Sequence, residues 1–107
     1  MISVIVKTKD KEYSRIEVKG HAGLDDYGKD LLCCAVSVLT VNTANSLEQL
    51  TDSFISSSTN DNGYVEIVLK DHPHNDAVLL IESYLLGLNM LSKQYGKKYL
   101  RVEFKEV

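Results

Sequence analysis

Two residues in this chain are of the types that together break acyl bonds. His21 is set among Gly20, Gly23 and Gly28, and Cys33 follows shortly after Asp30. A thiolate attacks a carbonyl carbon and an imidazole takes and returns the protons, so the pair divides one difficult acyl transfer into two easier steps. The run Leu31, Leu32, Cys33, Cys34, Ala35, Val36, Val38 and Leu39 continues at helical spacing through Thr43, Leu47 and Leu50, which predicts a buried helix. Asp30 is a good N-cap, so the helix is expected to start near it and to carry Cys33 in its first turn. Unpaired backbone N–H groups and the helix dipole favour an anion there, and a thiolate is an anion.

Helix geometry separates the two cysteines. Successive residues turn by roughly 100°, so Cys33 shares a face with Asp30 and Ser37 while Cys34 points elsewhere. Asp30, Cys33 and Ser37 make a polar stripe, and a loop carrying His21 laid across it would supply partners. The glycines let that loop bend, and Asp25, Asp26 and Lys29 keep it in water. A lone cysteine in an apolar helix is most often an inert small hydrophobe, which is the expectation for Cys34.

Gly20-His21-Ala22-Gly23, then Tyr27-Gly28-Lys29-Asp30, then Leu31-Leu32-Cys33 followed by Ser37, resemble the signature of the ribosomal-processing cysteine protease family, called Prp. The likeness fixes the His to Cys interval, the Asp ahead of the Cys and the Ser after it. It implies a small cytoplasmic cysteine endopeptidase, acting as a homodimer, that removes the short N-terminal extension of large-ribosomal-subunit protein twenty-seven. The precursor of that protein is then the partner, as substrate. By the same resemblance His21 matches the catalytic histidine and Cys33 the nucleophile, with Asp30 and Ser37 on positions of the motif. Cys34 departs from the pattern, because members usually carry alanine there, and it adds an oxidation site.

A Cys-His dyad needs donors for its oxyanion. The N–H of Cys33 or of a neighbour in the first helical turn is the expected first donor, with a glycine N–H of the loop as the second. Asp30 is expected to orient, since its charge would oppose a nearby thiolate. Gly20, Gly23, Tyr27 and Gly28 belong to a loop expected to close on substrate and bring His21 to Cys33. Two other readings use the same residues differently: a thiol redox sensor built on Cys33, and a noncatalytic ribosome-assembly binding module.

The elements that must position these residues are legible around them. The chain has 107 residues, 44% of them hydrophobic, enough for one domain with a real core. Residues 2–7 and 12–19 alternate in strand fashion around a connection at 8–11, forming a hairpin that delivers the chain to His21. Residues 53–59 and 64–70 flank the turn signal Asn60-Asp61-Asn62-Gly63 and predict a second hairpin. Its first strand carries Ser56, Ser57 and Ser58, which suits an edge or a place beside the active-site groove. Pro73 precedes a helix at 75–95 with Val78, Ile81, Leu85, Leu88 and Leu91 as core stripe, ended by Gly96. Tyr84, Leu86, Met90 and Tyr95 exceed what one face buries and suggest a dimer contact. A last strand at 98–105 points Leu100, Val102 and Phe104 inward. The order predicts an α+β fold in two layers, a mostly antiparallel sheet covered by two helices.

Composition narrows the partners. A net charge of −3 and a pI near 5.5 give no basic footprint for nucleic acid. Met1 runs directly into a strand without a signal-peptide pattern, and no stretch is expected to span a bilayer, so the chain is read as cytosolic, with both cysteines reduced. No cofactor is expected. His72 and His74 do not suggest a metal, because structural zinc takes four ligands and two neighbouring cysteines on a helix do not easily reach one ion.

Overall fold

β-branched residues alternating with polar ones give the chain its first two strands, β1 (Ile2–Lys9) and β2 (Glu12–Lys19). In the computed structural model, which describes residues 1–20, 27–60 and 64–107, and 27–30 by backbone alone, the strands are joined by only Asp10 and Lys11. Both have positive φ, 52° and 67°, the left-handed pair whose twist matches a hairpin. The connection is therefore shorter than its sequence suggests, and the strand extends through a register shift between Lys7 and Thr8. The chain continues through α1 (Tyr27–Leu50), β3 (Phe54–Thr59), β4 (Val65–Leu69), α2 (Asn75–Tyr95) and β5 (Leu100–Glu106).

The five strands lie in the order β3-β4-β2-β1-β5, antiparallel throughout except for β1 and β5. The α+β two-layer class is as expected, and β3 takes an edge. Ile2, Val4, Val6, Ile16, Val18, Ile67, Leu69 and Leu100 form the sheet's side of the core. Leu32, Val36, Ala44 and Leu47 from α1, and Ala77, Ile81, Leu85 and Leu88 from α2, form the helical side. The opposite face is polar. There Lys7 Nζ lies 2.9 Å from Glu17, only 6% exposed, and this hydrogen bond holds the Glu17 carboxyl below its ordinary range; Arg15 pairs with Glu66 at 3.0 Å.

Tyr84 departs from its expected place. It is 2% exposed and bonds to Thr40 at 2.8 Å, so it is a core residue and not part of a dimer surface. Thr40 Oγ1 donates its one proton to the Val36 carbonyl at 2.7 Å, which makes the Tyr84 hydroxyl the donor to Thr40. Burial pushes the phenol up to about 12. Phe104, expected inward, is 60% exposed because β5 is the other edge of the sheet. Leu31–Leu50 is also long and apolar enough to cross a membrane by length and composition, contrary to expectation. Leu32, Val36, Thr40, Ala44 and Leu47 are nevertheless buried at 3- and 4-residue intervals, the pattern of a core helix.

Candidate active site

α1 begins at Tyr27, so Tyr27, Gly28, Lys29 and Asp30 form its first turn. Three expectations change with that boundary. Tyr27 and Gly28 are helical residues and not loop residues. Asp30 lies inside the helix and does not cap it. Cys33 lies in the second turn, where its own N–H is directed at the carbonyl of residue 29, which removes it as an oxyanion donor. The N–H groups without an intrahelical acceptor are those of the first turn. His21 and Gly23 lie outside the described residues.

Cys33 is half-buried and lines a cavity of about 140 Å³. Ser37, one turn further along α1, lines it too, with Val36, Thr40 and Val41. The opposite wall comes from three strands and could not be found by motif. Ile2 of β1, Val18 of β2 and Val65 of β4 are brought together by pairing, Val18 facing Val4 on one side and Val65 on the other. Gly20 lines the cavity as well. Its φ of +87° and the Met1 carbonyl oxygen, which a Cβ there would strike, leave room for glycine alone.

The result is a thiol and two hydroxyls on an otherwise aliphatic wall. The Thr40 hydroxyl is committed to Val36 and Tyr84, so the polar groups facing the cavity's opening are Cys33 and the exposed Ser37. Such a wall takes an apolar side chain and leaves the sulfur beside the main chain that carries it. Cys34, expected to be an inert hydrophobe within the apolar run, is exposed, because one helical step turns it out of the cavity. Among the described residues no group of three His, Cys, Asp or Glu side chains could hold a metal ion. His72 instead sits 2.6 Å from Glu12, whose hydrogen bond raises the imidazole above its ordinary range.

The family model described as cysteine protease Prp matches residues 1–100. The chain belongs to the Prp family. It is a cysteine peptidase. The ribosomal processing cysteine protease Prp of Staphylococcus aureus Mu50 is 25% identical over 107 residues, covering 98% of this chain and 100% of that protein. The structure of S. aureus Prp, an essential ribosomal processing protease, in complex with a covalently linked product peptide, superposes with a TM-score of 0.86 at 25% identity, covering 98% of this chain and 100% of that one. SMU.848 from Streptococcus mutans superposes with a TM-score of 0.82 at 29% identity, covering 100% of this chain and 96% of that one.

Proposed function

We propose that this chain removes the short N-terminal extension from the precursor of large-ribosomal-subunit protein twenty-seven, in the cytoplasm and as a homodimer. The observation that carries the reading is the half-buried Cys33 on the wall of an aliphatic cavity, in a chain matched from residue 1 to residue 100 by the Prp family model. Relatives named ribosomal processing cysteine proteases support the ribosomal substrate, and a product peptide covalently linked to one of them supports an acyl-enzyme route. Leu86 and Met90, each 65% exposed on α2, supply apolar surface for a dimer.

His21 accepts the thiol proton and the Cys33 sulfur attacks the scissile carbonyl carbon, forming a tetrahedral oxyanion. As the C–N bond breaks, His21 gives that proton to the departing amine, which is the new N-terminus of the ribosomal protein. Cys33 now holds the extension as a thioester. Water then attacks the thioester carbonyl, His21 taking its proton and returning it to sulfur, and the extension leaves as a carboxylic acid. N–H groups of the first helical turn and of the loop after Gly20 hold the oxyanion. Asp30 orients this turn, and Ser37 meets the substrate at the rim of the cavity. The loop with Gly20 and Gly23 brings His21 over Cys33 once substrate fills the cavity.

Incubation of the purified chain with the extended precursor, followed by intact mass, tests the reading. Cys33→Ala and His21→Ala are expected to lower cleavage by about a thousandfold or more, whereas Cys34→Ala retains it. Cleavage that survives in Cys33→Ala would remove the nucleophile assigned here.

A further inference from the structure

We infer that the exposed flank of α1 from Val38 to Asn45 is the track along which the substrate polypeptide lies, with Asn42 and Asn45 holding its backbone. This deepens the function proposed above and rests on Cys33 being the nucleophile.

The cavity at Cys33 does not end there. Ser37 and Val41 line both it and a second, wider depression of about 430 Å³ bounded by Val38, Asn42 and Asn45. From Ser37 to Asn45 the helix rises about 12 Å, at about 1.5 Å per residue. That length accommodates about three or four residues of extended chain at about 3.3 Å each. Ser57 pairs with Ile67 and Thr59 with Val65, so both project toward the helical layer, yet both are exposed while Ile67 is fully buried. The end of β3 is therefore open on this face, next to Val65 of β4, which lines the cavity at Cys33.

The chemistry of the flank fits a polypeptide better than other occupants. Val38 and Val41 are 62% and 51% exposed, and no charged residue among the described residues lines the depression. Asn42 and Asn45 stand about one turn apart, each with a donor and an acceptor that match the carbonyl and N–H of a peptide unit. A track continuous with the nucleophile's own cavity places a bound chain in register for attack, so the binding energy of residues away from the cut serves the reaction.

Two fluorescent peptides cut from the precursor distinguish the outcomes, one reaching well beyond the scissile bond on both sides and one holding only the residues that flank it. In Asn42→Ala/Asn45→Ala, kcat/KM on the long peptide is expected to fall about tenfold, mainly through KM, and on the short one by less than about twofold. Val38→Asp, at a residue that lines the second depression but not the cavity at Cys33, is expected to give the same length-selective loss, with the oligomeric state by sedimentation as in wild type. Equal losses on both peptides, or none on the long one, overturn the track. A changed oligomeric state with parallel losses assigns the flank to a second copy and overturns it too. A wild-type chain that cleaves neither peptide overturns the proposed function itself, which is a separate result.

Discussion

At the end of the sheet where β1 turns into β2, side chains fasten neighbouring elements to one another. His72 meets Glu12, Lys9 lies 3.7 Å from Asp71, the Val107 N–H donates to the Thr8 carbonyl at 2.8 Å, and Ser53 Oγ accepts the His74 N–H at 2.9 Å. At the opposite end, the Asn60 N–H donates to the Tyr64 carbonyl at 3.1 Å, the Lys19 ammonium lies 5.9 Å from the Tyr64 ring centre, and further contacts join β1 to the turn before β5. There the Ile2 N–H bonds to the Tyr99 carbonyl at 2.8 Å and Ser92 Oγ donates to the Leu100 carbonyl at 3.0 Å. Between Val18, Val65 and α1 lies the cavity. The ion pairs Lys9–Asp71 and His72–Glu12 thus fasten the end away from Cys33, whereas the other end presents an aliphatic wall that takes an apolar side chain. The exposed ion pairs at the tied end are individually weak, so what holds the site is the shared core beneath it.

Gly20→Ala should have the largest effect on this contrast, because it introduces a Cβ against the Met1 carbonyl oxygen in a left-handed residue. A loss of about 2 kcal/mol, or about 8–16 °C in melting temperature, is expected, with reduced cleavage by the molecules that remain folded. An unchanged melting temperature would mean that the cavity end is not held as described. Tyr84→Phe comes next. It removes the donor to Thr40 under the cavity but leaves the Thr40 to Val36 bond, at a cost of about 1 kcal/mol in urea unfolding. The smallest effect belongs to the tied end. The imidazole of His72 is raised by Glu12, so its contribution is present below the unfolded value of 6.5 and is lost as pH rises through the folded value. Wild type should therefore melt slightly above His72→Ala at pH 6, with the two converging at alkaline pH and cleavage per folded molecule equal. A fall in cleavage for His72→Ala would join the two ends and break the contrast.

Strand alternation made all five strands legible, and helical spacing made α2 legible from Asn75 to Tyr95. The start of α1 was harder to place, because Gly28 and Asp30 carry the usual signals of a turn and hide a helix that already includes them. The hairpin at Asp10–Lys11 is shorter than the sequence predicts, since a lysine at positive φ gives no signal in the sequence. Tyr84 looked like surplus apolar surface because periodicity on one helix says nothing of a hydroxyl waiting on another. The same limit applies to the site. Cys33 and Ser37 could be read from their spacing, while Ile2, Val18 and Val65 became their neighbours only through sheet register.

The parallel pairing of β1 with β5, Ile2 opposite Leu100, joins two strands separated by all the other elements of this fold. Pairings this distant in sequence raise contact order and slow folding. While translation proceeds, β1 is an edge with one side unpaired, bearing Ile2, Val4 and Val6, and it stays so until β5 has left the ribosome. Since Ile2 also lines the cavity, a nascent chain lacking β5 has an unfinished wall, and proteolytic competence should appear only after synthesis has passed residue 100.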